Sequence, residues 1–281
     1  AAAPDHVFIN YEAPVLLLEA PWQLFQKNGQ AIPEDFALIT EGRKSAPVSS
    51  TNRCIAPENI FMEEGARMEY CLLNASEGPV YLGAGALVME GASLRGAVSI
   101  GENTVVKMGA RIYGATTAGP YCTIGGEIKN TIFFGYSNKA HDGYLGDAVI
   151  GEWCNLGAGT TASNIKNSAG KVAVWSEAQS SYIPATAKCG LLMGDYSKSA
   201  INTSFNTGTV VGIGSSVFTE GLSPAFIPHF SWGGKLAYSY HFDKAITDFA
   251  RWKELKNQHL ADWEVRQLKH IFDAGTRNFI T

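Results

Sequence analysis

The sequence lacks the features that mark a disulfide-stabilised, membrane-spanning or nucleic-acid-binding chain. Its 281 residues include five cysteines, an odd number without C-x-x-C spacing, which favours reduced thiols over a disulfide framework or a metal site. Basic residues are also few, since 22 Lys and Arg stand against 26 Asp and Glu. Bulk charge therefore does not favour a nucleic acid or an anionic membrane as partner. No run of about 18 apolar residues and no signal-peptide pattern occurs, so we expect a cytoplasmic protein.

Glycine is plentiful, and most of the 30 glycines lie between Gly65 and Gly234. In this region an aliphatic or small residue recurs at every sixth position, at Leu82, Val88, Leu94, Ile100, Val106, Ile112, Ala118 and Ile124. A helix has a period of about 3.6 and a strand a period of about 2, so neither explains the pattern. A period of six is typical of a hexapeptide parallel β-helix. A glycine-rich β-sandwich with chance periodicity is the alternative.

The six-residue phase is interrupted twice. It stops after Ile124, resumes at Ile150, Leu156 and Ala162, and resumes again at Ile201, Thr207 and Ile213. Insertions into a solenoid become external loops, which often carry function. We therefore interpret both interruptions as insertions.

The flanking segments differ from the repeats, and the sequence predicts three parts. Residues 1–53 form a connecting segment or cap in which the stretch WQLFQKNGQAIPEDFALI reads as a short helix and turn. Residues 54–234 form the β-helix. Residues 235–281 form a C-terminal helical extension, because apolar residues between Asp243 and Ile271 fit one or two amphipathic helices that cap the repeats.

Polar side chains concentrate between Gly125 and Asn164, where the phase is interrupted. His141 lies there among acidic residues and tyrosines, and a neutral imidazole is the natural base near pH 7 for an amine or hydroxyl. Arg111 and Lys129 are eighteen residues apart, one full turn of three hexapeptides. This spacing predicts that they stack at one corner, where a paired cationic site would suit a phosphate or carboxylate.

Three motifs in this stretch carry a family resemblance. They are EIKN, then H-x-x-Y-L-G-D-A-x-I-G twelve residues after the lysine, then N-x-G-A-G-T followed closely by Asn. They resemble the acetyltransferase domain of the bifunctional N-acetylglucosamine-1-phosphate uridylyltransferase/glucosamine-1-phosphate acetyltransferase. PWQLFQKNGQAI before the repeats, with AINTSFNTGTVVG and FSWGG after them, resembles a variant group of bacterial sugar nucleotidyltransferases.

The resemblance implies a left-handed β-helix, assembled as a trimer, that transfers an acetyl group from acetyl-CoA to the amine of an amino-sugar 1-phosphate. His141 would be the general base, and Asn164 would orient it and the substrate amine. Ala158 would face the acetyl-CoA thioester. No metal is implied for this reaction.

The resemblance also implies an acceptor pocket. Arg111 and Lys129 would bind the sugar phosphate, Tyr144 and Glu127 would contact the sugar, and Asn155 would line the same pocket. After Asn164 the usual Tyr-Asp-Gly of the family is replaced by Ile-Lys-Asn. This departure bears on the identity of the sugar more than on the reaction.

Two other functions fit a β-helix of this kind. The first is a non-catalytic trimerisation or regulatory module of a sugar-phosphate nucleotidyltransferase. The second is a trimeric zinc carbonic anhydrase, which the sequence disfavours because a zinc site needs three histidines and only His141 lies within the central repeats. Nothing before Gly65 resembles a nucleotide-binding loop. We therefore interpret the chain as the C-terminal part of a longer protein and expect no pyrophosphate release from it.

Overall fold

The computed structural model describes residues 11–234 and 238–276 as a parallel β-solenoid with three helices outside it. The solenoid has about 10 turns and matches a left-handed β-helix, as the sequence predicts. Most turns place one short strand on each of three faces, and successive strands of a face pair in parallel, except for the last pair of strands, which is antiparallel. The ends of the predicted segments at residues 1–10, 235–237 and 277–281 lie outside the described residues.

The strands are grouped here by the face on which they lie. Face 1 contains Arg53–Ile55, Leu72–Asn74, Ser93–Arg95, Arg111–Tyr113, Thr161–Ala162 and Ser204–Phe205. Face 2 contains Ile60–Met62, Val80–Leu82, Val98–Ile100, Thr116–Ala118, Leu192–Met193, Val210–Val211 and Phe226–Ile227. Two longer strands, Glu127–Phe133 and Tyr144–Ile150, run along both of these faces. Face 3 contains Arg67–Met68, Leu87–Val88, Val105–Val106, Thr123–Ile124, Asn138–Lys139, Asn155–Leu156, Lys198–Ser199, Ser216–Val217, Ser231–Trp232 and Tyr238–Ser239.

The core is a column of inward side chains along the solenoid axis. The eight predicted anchors from Leu82 to Ile124 are at most 2% exposed, and so are Ile150, Leu156 and Ala162. The third predicted run is wrong, because Ile201 is 69% exposed. The structure instead buries Phe205, Val211 and Val217. The phase shifts here because the chain returns from a long loop at a different point of the turn.

The first interruption is a shortening of the solenoid and not an insertion. Arg111 lies opposite Glu127, sixteen positions later, because the corner before Glu127 consists only of Gly125 and Gly126. Gly126 has a φ of 74°, and a Cβ there would lie 2.8 Å from the carbonyl oxygen of His141. The second interruption is a true insertion after Ala162, which carries an antiparallel hairpin of Ala173–Ser176 and Ser181–Pro184.

The first helix, α1 (Gln23–Thr40), is longer than the predicted short helix and turn, and it lies on face 2. The side chain of Asn28 donates to the carbonyl of Ala115 at 2.6 Å and accepts from the hydroxyl of Thr117 at 3.0 Å. These contacts fix a helix that contains Pro33, which lacks the N–H needed for the helical ladder.

The C-terminal extension, for which the sequence predicts one or two amphipathic helices, forms two, α2 (Phe242–Glu254) and α3 (Asp262–Thr276). Lys253 of α2 donates to both oxygens of Glu264 of α3, at 2.6 and 2.8 Å. The Lys253 ammonium also lies 5.0 Å from the centre of the Trp153 ring. Within the described residues, no helix is both long and apolar enough to cross a membrane.

An aromatic ladder occupies the corner between faces 2 and 3. Tyr121, Tyr136 and Trp153 have φ values of 56°, 62° and 57°. Their rings stack with centroids 5.0 and 4.3 Å apart. The left-handed conformation costs a non-glycine residue about 1–2 kcal/mol. Stacking in successive turns offsets this cost.

Candidate functional site

Outward side chains on face 1 form two columns along the solenoid axis. One column contains Arg111, Glu127 and Tyr144 in consecutive turns, and the other contains Tyr113 and Lys129. Arg111 therefore faces Glu127, and the predicted direct stack of Arg111 on Lys129 is wrong. The two cations lie on diagonal positions because the turn is sixteen residues long instead of eighteen. Both still project from the same face.

The carboxylate of Glu127 is held from two sides. The hydroxyl of Tyr113 donates to Oε1 at 2.8 Å, and Nε of Arg111 lies 3.6 Å from Oε2. Burial, followed by the hydrogen bond to Glu127, raises the pKa of Tyr113 to about 12. The Lys129 ammonium lies 5.8 Å from the centre of the Tyr113 ring. Together these groups present both charges and a hydroxyl on one half-buried surface.

A second carboxylate, Asp147, lies buried at the corner between faces 1 and 2. It accepts from Nδ2 of Asn130 at 2.6 Å and from Nδ2 of Asn164 at 2.5 Å. Nδ2 of Asn164 also donates to Oη of Tyr144 at 3.1 Å. Sequence reasoning gave no role to Asn130 and Asp147. The available signal was the residue types alone, an Asn and an Asp seventeen positions apart, since both types tolerate the left-handed conformation that the structure gives them at a φ of 48°.

The hydroxyl of Tyr144 stays protonated over a wide pH range. Burial, followed by the charges of Asp147 and Glu127, raises the pKa of Tyr144. Tyr144 can therefore donate a hydrogen bond to a ligand while it accepts one from Asn164. Its ring lies across Gly146, where any Cβ would collide with the Tyr144 hydroxyl. The glycine of the Y-L-G-D motif thus makes room for the tyrosine before it.

His141 lies in the corner that precedes Tyr144, and its side chain is exposed. The corner is an ordinary one, so the prediction that His141 lies in an insertion is wrong. Beneath it, the ammonium of Lys139 donates to the carbonyls of His141 and Asp142. Lys139 is fully buried at an inward position beside Ile124, and this burial lowers its pKa to about 8. Sequence reasoning missed this lysine.

The other two predicted residues lie one turn further along. The corner with Ala158 stacks on the corner with His141, because the N–H of Gly159 donates to the carbonyl of Asp142 at 3.0 Å. Asn155 lies on face 3, opposite Asn138 and Lys198. The structure therefore places Ala158 beside His141, and it places Asn155 on a different face from Tyr144.

The arrangement combines an exposed imidazole, two cations, a fixed carboxylate and a tyrosine hydroxyl within consecutive turns. Such groups can bind an anionic, hydroxyl-rich molecule and accept a proton from it. No group of three or more metal-ligating side chains occurs in the described ranges. All five cysteines are unpaired, and burial raises the pKa of Cys154 to about 12 and that of Cys122 to about 11.

Comparisons with known proteins confirm the resemblance. Residues 3–44 match a family model described as sugar nucleotidyl transferase. The bifunctional protein GlmU of Methanocaldococcus jannaschii is 35% identical over 31% of this chain and 21% of its own length. The bifunctional protein GlmU of Rippkaea orientalis is 50% identical over 16% of this chain and 11% of its own length. The matched region thus spans about a fifth or less of these relatives.

The solved structures to which this chain is similar are more distant in sequence. An Arabidopsis UDP-N-acetylglucosamine acyltransferase is 13% identical, covers 79% of this chain and 88% of its own, and has a TM-score of 0.38. The polysialic-acid-specific acetyltransferase NeuO is 13% identical, covers 73% and 92%, and has a TM-score of 0.37.

Proposed function

We propose that this chain transfers an acetyl group from acetyl-CoA to the amine of an amino-sugar 1-phosphate. The observation that carries the proposal is the grouping of Arg111, Glu127, Lys129 and Tyr144 on one face, next to the corner with His141. A motif match alone predicts only which residue types occur. Because these side chains lie on consecutive turns, groups that can bind an anion and a sugar lie next to a group that can act as a base.

The reaction needs a neutral amine and a base that takes its proton. His141 accepts this proton as the amine nitrogen attacks the thioester carbonyl. The C–S bond then breaks, and the proton passes from His141 to the departing sulfur, so that CoA leaves as a thiol. The amide N–H groups of Asn164 bind Tyr144 and Asp147. Its Oδ1 remains available to accept from the amine. Asn164 then orients the substrate, and Asp147 orients Asn164.

The two substrates reach His141 from opposite directions along the solenoid. The acceptor lies toward Glu127, Lys129 and Arg111, where the cations bind its phosphate. Acetyl-CoA lies toward the Ala158 corner, one turn beyond His141. Residues 157–160 and 208–214 do not form one continuous wall for acetyl-CoA, because they occupy three different corners of the solenoid.

The site becomes complete in the predicted homotrimer. Asn155 lies on face 3 and Tyr144 on face 1 of the same solenoid. Asn155 can therefore join the pocket around Tyr144 only from a second copy of the chain. This placement favours sites between subunits of a homotrimer.

The experiment that tests the reaction measures thiol release from acetyl-CoA with a panel of amino-sugar phosphates and their unphosphorylated forms. We expect release with at least one amino-sugar phosphate. Lys129→Ala should raise KM for the phosphorylated acceptor far more than for the unphosphorylated one, because only the former makes the charge-assisted contact. Equal effects on both acceptors would assign Lys129 another role. No release with any acceptor, and no rise in Tm with acetyl-CoA, would favour the non-catalytic module.

A further inference from the structure

Tyr113 lies among the residues of the proposed acceptor site, and no step of the proposed reaction uses it. It is the last residue of the strand Arg111–Tyr113, and its side chain points outward from face 1. In the same column of outward side chains, Arg95 lies one turn before Tyr113 and Lys129 lies one turn after it. An aromatic side chain therefore lies between two cations on this face.

The hydroxyl of Tyr113 fixes the carboxylate of Glu127. It donates to Oε1 of Glu127 at 2.8 Å, whereas Nε of Arg111 lies 3.6 Å from Oε2. The second distance exceeds that of a direct hydrogen bond, so the tyrosine makes the closer contact. A hydrogen bond to a carboxylate is stronger than one between two neutral groups. Because one oxygen of Glu127 is held in this way, the carboxylate presents a fixed direction to a hydroxyl group of the sugar.

The ring of Tyr113 restrains Lys129. The Lys129 ammonium lies 5.8 Å from the ring centre, within the range of a cation–π contact. The residue that follows Lys129 in the column is Gly146, which has no side chain. Within the described part of the chain, Lys129 forms no ion pair with a carboxylate. The Tyr113 ring is therefore the neighbour in this column that limits the movement of an ammonium left available to a phosphate.

A contact of the same kind occurs on face 2, away from the proposed acceptor site. The hydroxyl of Tyr81 donates to Oε1 of Glu63 at 2.6 Å, and Arg43 pairs with the same carboxylate. The neighbours of Tyr81 along face 2 are Phe61 and Ser99, and neither carries a charge. A variant at Tyr81 thus removes an equivalent hydrogen bond on a different face of the solenoid.

We infer that Tyr113 is a positioning residue for the acceptor, an inference that rests on the proposed acetyl transfer. Its hydroxyl aligns Glu127, which contacts the sugar, and its ring aligns Lys129, which binds the phosphate. One side chain thereby sets the spacing between the groups that hold the two parts of an amino-sugar 1-phosphate. Because Tyr113 acts through these two side chains, its loss should weaken acceptor binding and leave the chemical step unchanged.

The first test measures thiol release with glucosamine 1-phosphate and with glucosamine as acceptors. Tyr113→Phe keeps the ring, so KM should rise about tenfold for both acceptors, because only the hydrogen bond that fixes the sugar contact is lost. Tyr113→Leu also loses the ring, so KM for the phosphorylated acceptor alone should rise about threefold further. In both variants, kcat and KM for acetyl-CoA should stay within about twofold of wild type. An unchanged acceptor KM in Tyr113→Phe, or an effect confined to kcat, would overturn the inference.

Tyr81→Phe is the matched control for the loss of a hydrogen bond between tyrosine and glutamate. It should lower Tm to a similar extent as Tyr113→Phe and leave the KM of both acceptors unchanged. An equal rise of acceptor KM in Tyr81→Phe would trace the effect to lost stability and contradict a positioning role. In a Glu127→Ala background, Tyr113→Phe should not raise KM for glucosamine further, because the hydroxyl acts through that carboxylate. Additive effects of the two substitutions would overturn this pathway.

Titration calorimetry with glucosamine 1-phosphate separates the role of Tyr113 from the proposed reaction. If the wild-type protein binds this compound without transferring an acetyl group, and Tyr113→Phe weakens binding while Tyr81→Phe does not, the positioning role stands and the acetyl-transfer proposal fails. If acetyl transfer occurs and Tyr113→Phe binds the compound as tightly as wild type, the reaction stands and the positioning role fails. Absence of both binding and transfer would overturn both.

Discussion

His141 is the residue whose replacement tests the proposed chemistry most directly. A positioned base contributes about 10²–10⁴ to a rate, so His141→Ala should lower acetyl transfer by that factor and leave Tm unchanged because the side chain is exposed. Asn164→Ala should act in the same direction and less than additively with it. Steady-state thiol release measures both, with the exposed His270→Ala as control. A near-normal rate in His141→Ala would remove this residue from the base role.

Lys139 makes stability depend on pH. Burial lowers its pKa to about 8, below the ordinary 10.5. Between these values the unfolded chain binds a proton that the folded chain does not, so the lysine makes the free energy of unfolding rise with pH. The rise is at most about 1.4 kcal/mol per pH unit.

Urea denaturation from about pH 7 to about pH 9.5 measures this effect. The slope of unfolding free energy against pH should be smaller in Lys139→Met than in the wild-type protein. Lys188→Met, at an exposed position of the insertion, should keep the wild-type slope. A slope unchanged in Lys139→Met would show that the buried ammonium stays protonated throughout.

Sequence reasoning at the level of single residues located the motif residues on adjacent turns, although the predicted stack of Arg111 on Lys129 is wrong and the roles of these residues stay predictions. His141, Tyr144 and Glu127 lie together because a motif on adjacent turns keeps its spacing. It failed for Lys139 and Asp147, because a charge inside a solenoid contradicts the hexapeptide pattern. Backbone carbonyls accept hydrogen bonds from Lys139, and side-chain amides donate to Asp147. These partners come from other parts of the solenoid, so the local sequence does not reveal them.

At the level of elements, the helix pair α2 and α3 depends on one buried ion pair. Lys253 is 7% and Glu264 13% exposed. Burial opposes the charge of Glu264, but hydrogen bonds from Lys253 and Tyr196 lower its pKa. Removal of one partner leaves an uncompensated charge, so Lys253→Met should cost about 3–5 kcal/mol.

Urea unfolding followed by circular dichroism measures this loss. The double variant Lys253→Met, Glu264→Leu should be more stable than Lys253→Met alone, since no unpaired charge then remains buried. Arg251→Ala is the control, because its pair with Asp248 is exposed on the arginine side and should contribute about 0–1 kcal/mol. Equal costs for Lys253→Met and Arg251→Ala would show that the pair is not buried in solution.

Helices and strands could be predicted where a single period in the spacing of apolar residues defines them. The six-residue pattern identified the strands from Leu82 to Ile124, and the 3.6 period identified the C-terminal helices. The corners between strands do not follow this period. The two-residue corner at Gly125 and the insertion after Ala162 both interrupt the six-residue phase. The sequence alone does not show that the first shortens a turn and the second adds a loop. α1 was underestimated because Asn28 stabilises it through contacts with residues about ninety positions away.

At the level of the whole molecule, the placement of Asn155 and Tyr144 on different faces leads to a prediction about the assembly. Asn155 and Tyr144 serve one pocket only if copies of the chain pack together, and cyclic symmetry is the usual closure. Sedimentation equilibrium should give three times the chain mass of 30.2 kDa. A stable monomer with full acetyl-transfer activity would contradict both the trimer and the role of Asn155.

The strand Tyr238–Ser239 closes face 3 by running antiparallel to Ser231–Trp232. A stack of parallel turns has no natural length, since its last turn is a template on which the first turn of another molecule can be added. Such head-to-tail addition does not close and would yield fibres. The reversed strand offers the wrong polarity for this addition, and α2 begins almost at once after it. On face 3, the reversed chain direction therefore disfavours the addition of a second molecule.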